Sequence, residues 1–198
     1  MGVKISEKRA EELRNEGKYF LTEVSSKQIE ELMKWMAYGI SHGKRYFTLL
    51  ISSAGGSPSW TVHFASFLRM VPDDVHLHGV AISECGSAAL AILQFCHKRS
   101  AVRHTAFYPH HVQVTLEVNC QQPMAEIVAY VEREIAQARM LEQELVSIQS
   151  ARMSITPEQW MQIAEYGEKL DGGIKYLTDD ALRLGMIDEV IEHYPLFG

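Results

Sequence analysis

Apolar runs of strand length alternate along this chain with segments of helical periodicity. The apolar runs 47–52 and 75–83 are each followed by a stretch, 58–70 and 87–95, in which apolar side chains recur every three to four residues. Buried strands separated by helices are typical of a largely parallel sheet with right-handed crossovers. The pattern therefore predicts an α/β fold for the centre of the chain.

The flanking segments add further elements. Residues 1–17 are charged throughout and predict a polar helical arm, followed by a single domain over 18–198. Helices are predicted after Ser25, Thr156 and Thr178, and strands over 18–24, 101–103, 106–108, 112–118 and 186–191. A helical pattern over 123–152 is too long for ordinary packing within so small a domain.

Composition narrows the class of protein. The chain has 198 residues, 46% of them apolar, and a formal charge of -6 without long blocks of like charge, so a folded core is expected and nucleic acid is a poor partner. Its longest apolar run, near 87–96, is about half of a membrane span, and its amino end is too polar for a signal peptide. We expect a soluble protein with no membrane partner. The cysteines, Cys85, Cys96 and Cys120, form no C-x-x-C pair and fit a reducing cytoplasm.

Two strand-to-helix junctions carry the candidate chemistry. The first holds Gly55 and Gly56, a turn whose backbone N–H groups can hold a developing negative charge. The second places Ser87 on the first turn of a helix, where its hydroxyl can face such a turn as a nucleophile. The N–H groups of Gly56 and Ala88 are then the predicted oxyanion donors, and acyl transfer is the predicted chemistry.

A serine hydroxyl at neutral pH needs a base, and the chain contains nine histidines. His110 is the best placed, because it follows the predicted strand 106–108 at an edge where loops of a parallel sheet converge. His111 is the immediate alternative. Plainer interpretations also stay open, since Ser87 alone can be a helix N-cap and His110 alone a surface histidine.

Two other features bear on the chemistry. Cys85, two residues before Ser87, fits a small buried thiol better than a nucleophile. His76 and His78 share one face of a strand, but no third ligand accompanies them, so we predict no metal site.

Taken in order, these motifs resemble those of the ClpP family, the proteolytic subunit of the Clp protease, within the crotonase-like superfamily. Ser-Ala-Gly-Gly at 53–56 is similar to the family's Ser-Pro-Gly-Gly turn, and Cys-Gly-Ser-Ala-Ala at 85–89 is similar to the motif around its catalytic serine. His110 falls where the family has its histidine, at the end of a strand. A closing motif, Tyr-Leu-Thr at 176–178 with Ala181 and Gly-x-x-Asp at 185–188, extends the resemblance over roughly 18–191.

The resemblance implies a fold, an activity and an assembly. The fold is a crotonase-like core of repeated strand-turn-helix units, with a protruding handle strand and helix at about 112–152. The activity is that of a serine endopeptidase, which cleaves peptides or unfolded proteins through an acyl-enzyme and needs no cofactor. The assembly is a chamber of stacked rings of identical subunits, with an ATP-driven unfoldase as partner.

The chain departs from the family at the third member of the triad. The family's aspartate stands two residues before the closing aromatic, where this chain has Ile174. Asp171 is the nearby acid and the predicted orienting residue if this loop follows a different path. Two alternatives therefore stay open. One is a catalytically weak or inactive ClpP-like structural subunit, and the other is a crotonase-type acyl-CoA enzyme.

Overall fold

The computed structural model describes residues 5–113, 116–117, 121–168 and 176–194, with the backbone alone for 166–168. Its elements in chain order are α1 (Glu7–Asn15), β1 (Lys18–Leu21), α2 (Ser26–Ser41), β2 (Tyr46–Ser53), α3 (Pro58–Leu68), β3 (His76–Gly86), α4 (Ser87–Gln94), β4 (Lys98–Val102), β5 (Ala106–Tyr108), α5 (Met124–Met153), α6 (Pro157–Glu168), α7 (Thr178–Arg183) and β6 (Glu189–Ile191). This alternation of strands and helices confirms the predicted α/β class.

The strands form one sheet in the order β1-β2-β3-β4-β6, and β5 also pairs with β3. All pairs between the described strands are parallel, as predicted. The first half of β3 pairs with β4, whereas its last three residues, Glu84, Cys85 and Gly86, pair with β5. The carboxyl ends of β3 and β5 therefore lie side by side.

Apolar side chains cover both faces of the sheet. On one face, the larger core joins β2 and β3 to α2, α3, α4, α6 and the carboxyl end of α5. On the other face, α1 inserts Leu13 against Leu50, Val80 and Ile82. Two covered faces explain why the central strands are continuous apolar runs rather than alternating ones.

Three of the predicted helix starts have matching caps. The Ser25 hydroxyl accepts from the Gln28 N–H, and the Ser57 hydroxyl caps α3, which has a proline at its start. Thr156 and Gln159 bond each other reciprocally, as a capping box does. Local sequence therefore sets where these helices begin.

The 30-residue helix α5 is long for this domain, spanning about 45 Å. Its buried residues all lie between Leu145 and Met153, so the preceding part of the helix is only lightly covered. In the stretch 112–118, where a strand was predicted, residues 112, 113, 116 and 117 belong to no strand and the others lie outside the described residues. Among the described helices, none combines the length and the apolar character needed to cross a bilayer.

Candidate active site

The glycine turn and the serine meet at the carboxyl edge of the sheet. Ser53 at the end of β2 pairs with Cys85 near the end of β3, so the chain leaves both strands at the same level. Gly55 has a φ of +124°, and a Cβ built on it would stand 2.6 Å from the Ser87 Cβ. The turn can approach the serine this closely because residue 55 has no side chain.

The Gly56 N–H points away from the neighbouring segment around Val24. Gly56 forms an isolated parallel bridge with Val24, in which the Val24 N–H donates to the Gly55 carbonyl (2.9 Å) and the Ser57 N–H donates to the Val24 carbonyl (2.7 Å). Because the bridge uses the groups on either side of it, the Gly56 N–H takes no part in it. The Ser53 hydroxyl accepts from the Gly55 N–H at 3.1 Å and fixes the turn.

Ser87 adopts a strained backbone conformation at the first position of α4. Its φ is +48°, in the left-handed region that a residue with a side chain seldom occupies. The N-cap of α4 is Gly86, with no side-chain capping bond, so the alternative that Ser87 is the N-cap is wrong. A serine on a strained strand-to-helix turn presents its hydroxyl outward, and the N–H of the next residue, Ala88, has no carbonyl partner within its own helix.

His110 reaches the same edge through β5. Gly86 lies opposite Tyr108 in the parallel pairing, so Ser87 and Pro109 leave the sheet together and His110 follows. The His110 Nδ1 lies 2.6 Å from the His111 carbonyl. A carbonyl only accepts, so Nδ1 carries the proton, and Nε2 of the neutral ring is left as the acceptor that a general base requires.

One cavity of about 350 Å³ joins the predicted groups. Its walls include Gly56, Ser87, Ala88, His110 and His111. The predicted nucleophile, both oxyanion donors, the predicted base and its alternative are thus brought together around one space. The predicted acid, Asp171, lies outside the described residues, as does Ile174.

Other residues that line the cavity come from helices that were not predicted to contribute to the site. Glu142, Leu145, Val146 and Gln149 of α5 line the cavity with Trp160 of α6. The α5 residues follow the spacing of a single helix face, and that periodicity was the available signal. The helical periodicity predicts that the apolar residues share a face, but it does not predict that Glu142 contributes to the site.

The other chemical candidates are accounted for by local contacts. Cys85 is fully buried, which confirms that it is a buried thiol, and burial raises the pKa of that thiol. The His78 Nε2 lies 2.7 Å from the Ser100 hydroxyl, and the His76 ring stacks on Tyr46. Among the described residues, no group of three His, Cys, Asp or Glu side chains can hold a metal ion.

Neither a protein-family model nor a curated protein matches this chain. Its site combines a hydroxyl on a strained turn, two helix- or turn-derived N–H groups, and a histidine whose Nε2 can accept a proton. Acyl transfer from an amide or ester to water uses groups of these three kinds.

Proposed function

We propose that this chain is a ClpP-like serine peptidase with a crotonase-like fold, in which Ser87 forms an acyl-enzyme. The observation that carries the proposal is the contact between the glycine turn and the serine, in a cavity that His110 shares. An oxyanion donor, a nucleophile and a base are the groups that acyl transfer uses, and the positive φ of Ser87 and the Nε2 acceptor of His110 support these roles.

The reaction follows from these positions. The Ser87 Oγ attacks the substrate carbonyl carbon while His110 Nε2 takes the hydroxyl proton, and the carbonyl oxygen becomes an oxyanion held by the Gly56 and Ala88 N–H groups. The C–N bond then breaks, and His110 returns the proton to the leaving amine. Water, deprotonated by His110, attacks the ester carbonyl, and the proton passes back to the Ser87 Oγ as the acid product leaves.

We also propose that α5 joins copies of this chain into a larger assembly. Val128 and Ile135 are 46% and 40% exposed, although each stands eighteen residues, or five full turns, before a buried residue, Val146 or Met153. The face that packs on the core at one end thus carries exposed apolar side chains further along the helix. A second α5 of the same kind is a self-complementary cover for such a face.

Unstructured peptides and unfolded proteins are the proposed substrates, and an ATP-driven unfoldase is the proposed partner, both on the resemblance in sequence. A cytoplasmic location is proposed because Cys85 and Cys96 are free thiols.

Turnover of an unstructured fluorogenic peptide tests the function. We expect Ser87→Ala to lower kcat by at least about a thousand-fold, because the nucleophile is lost. Ser66→Ala, at an exposed position of α3, is the matched control and should keep full activity. Turnover that survives in Ser87→Ala contradicts the proposal, and assembly without any turnover favours the inactive structural subunit.

A further inference from the structure

A single carboxylate ties the histidine loop, residues 109–113 after β5, to α5. The Glu142 Oε1 accepts from the His111 Nδ1 at 3.0 Å and from the Val112 N–H at 3.1 Å. Both side chains of the Glu142–His111 pair are only 24% exposed. Two donors that converge on one partly buried oxygen hold the loop far better than an exposed ion pair does.

The same loop is linked to His110 through the backbone. The carbonyl of His111 accepts the proton on His110 Nδ1. His111 therefore binds Glu142 with its side chain and His110 with its main chain. A shift of residue 111 moves the acceptor that sets the tautomer and orientation of the His110 ring.

Glu142 itself is firmly placed. It stands one turn before Leu145 and Val146, where α5 enters the core, and it lines the same cavity as Ser87 and His110. A helix anchored by packing offers a more exact position than a loop does. Glu142 is thus a rigid anchor for the loop that carries the base.

We propose that Glu142 is the positioning residue of the catalytic histidine, acting on His110 through His111. This inference rests on the proposed function, in which His110 is the base. It gives a carboxylate from α5 the orienting task that was predicted for Asp171. Because Glu142 contacts His111 and Val112 rather than His110, it acts through the loop and not on the reacting atoms.

Peptide turnover by Glu142→Ala and Glu142→Gln tests this role. We expect Glu142→Ala to lower kcat about 10- to 100-fold with KM nearly unchanged, as loss of a residue that orients a histidine does. Glu142→Gln keeps the shape and one acceptor oxygen, so its kcat should fall between those of Glu142→Ala and the parent. The matched control is Glu144→Ala, a substitution on the same helix that removes only an exposed ion pair with Arg69 at the end of α3. A Glu142→Ala variant with the kcat of Glu144→Ala overturns the inference, as does a change confined to KM.

Histidine NMR separates this inference from the proposed function. Long-range proton–nitrogen correlation spectra of the ¹⁵N-histidine-labelled full chain report which ring nitrogen of His110 carries the proton. We expect an Nδ1–H tautomer in the parent chain and in Glu144→Ala, and a mixture of tautomers in Glu142→Ala. An unchanged His110 signal in Glu142→Ala overturns the positioning role whether or not the protein turns over peptides. A parent chain without Ser87-dependent turnover, in which the His110 signal still changes in Glu142→Ala, contradicts the proposed function alone.

Discussion

At the scale of single residues, the candidate site depends on the absence of a side chain at residue 55. Gly55 has a positive φ and lies against Ser87. A methyl group at residue 55 would therefore strain the backbone and also clash with the Ser87 Cβ and with neighbouring backbone atoms. Gly43 also has a positive φ of +84°, but a Cβ built on it would have no neighbour within 4 Å among the described residues. A comparison of alanine substitutions at these two glycines therefore separates the energetic cost of backbone strain from that of steric contact.

Gly55→Ala should therefore lower the free energy of unfolding more than Gly43→Ala does. Gly43→Ala carries only backbone strain, about 1–2 kcal/mol, whereas Gly55→Ala adds about 1–3 kcal/mol of overpacking. Urea unfolding of both variants measures the difference. Equal losses would contradict the close approach of the turn to Ser87.

Site residues that stand beside a turn or a strand end can be predicted from the sequence, whereas those supplied by a distant element cannot. Ser87, Gly56 and His110 each follow an apolar run, so their meeting at one sheet edge could be predicted. Glu142 comes from a helix about thirty residues further along the chain than His111. Only the packing of α5 brings the two together, and no local pattern encodes it.

At the scale of elements, β4 is tied to the start of β6 by Arg99 and Asp188. The buried Arg99 guanidinium donates to both oxygens of Asp188, and its Nη1 also donates to the carbonyls of Arg152 and Gly185. Burial acts to raise the pKa of Asp188, but the hydrogen bonds from Arg99 outweigh it, so the pKa lies below its usual value.

Asp188→Asn should lower the free energy of unfolding at neutral pH by an intermediate amount. The expected loss lies between the ~1 kcal/mol of an exposed pair and the ~3–5 kcal/mol of a fully buried one, because Arg99 is buried but the Asp188 side chain is 39% exposed. Asp74→Asn, which breaks the exposed Arg45–Asp74 pair, is the matched control and should lose less. Denaturant unfolding measures both.

The same pair predicts a dependence on pH. A carboxyl group whose pKa is lower in the folded than in the unfolded chain stabilises the fold fully above its unfolded pKa, about 3.9, and loses that effect as the pH falls through the folded pKa. The difference in unfolding free energy between the parent and Asp188→Asn should therefore shrink as the pH is lowered below about 4. A difference that stays constant to lower pH would contradict the assignment.

Hydrogen bonds to one side chain explain why β1 ends earlier than the hydrophobic periodicity predicts. A strand was predicted over 18–24, but β1 ends at Leu21. The Gln28 side chain accepts from the N–H groups of Thr22 and Glu23 at 3.0 and 3.1 Å. These bonds turn the chain into α2, and a glutamine six residues ahead gives no strand-end signal in a local pattern.

At the scale of the whole molecule, the exposed apolar side chains on one face of α5 predict self-association. Val128→Glu combined with Ile135→Glu places two charges in that face and should lower the mass of the assembly. Gln137→Glu adds a charge on the other side of the helix and serves as the control. Light scattering measures the mass. A monomeric parent chain, or a double variant with the parent's mass, would contradict the role of α5.

The central claim is that Ser87 is an activated nucleophile. Reaction with a fluorophosphonate, followed by intact-mass measurement and peptide mapping, tests it most directly, because only a serine with a working base and oxyanion site is phosphonylated quickly. We predict one adduct per chain, located on Ser87, formed by the parent and by Ser66→Ala and absent from Ser87→Ala. An adduct on another residue, or none on the folded parent chain, would contradict the account.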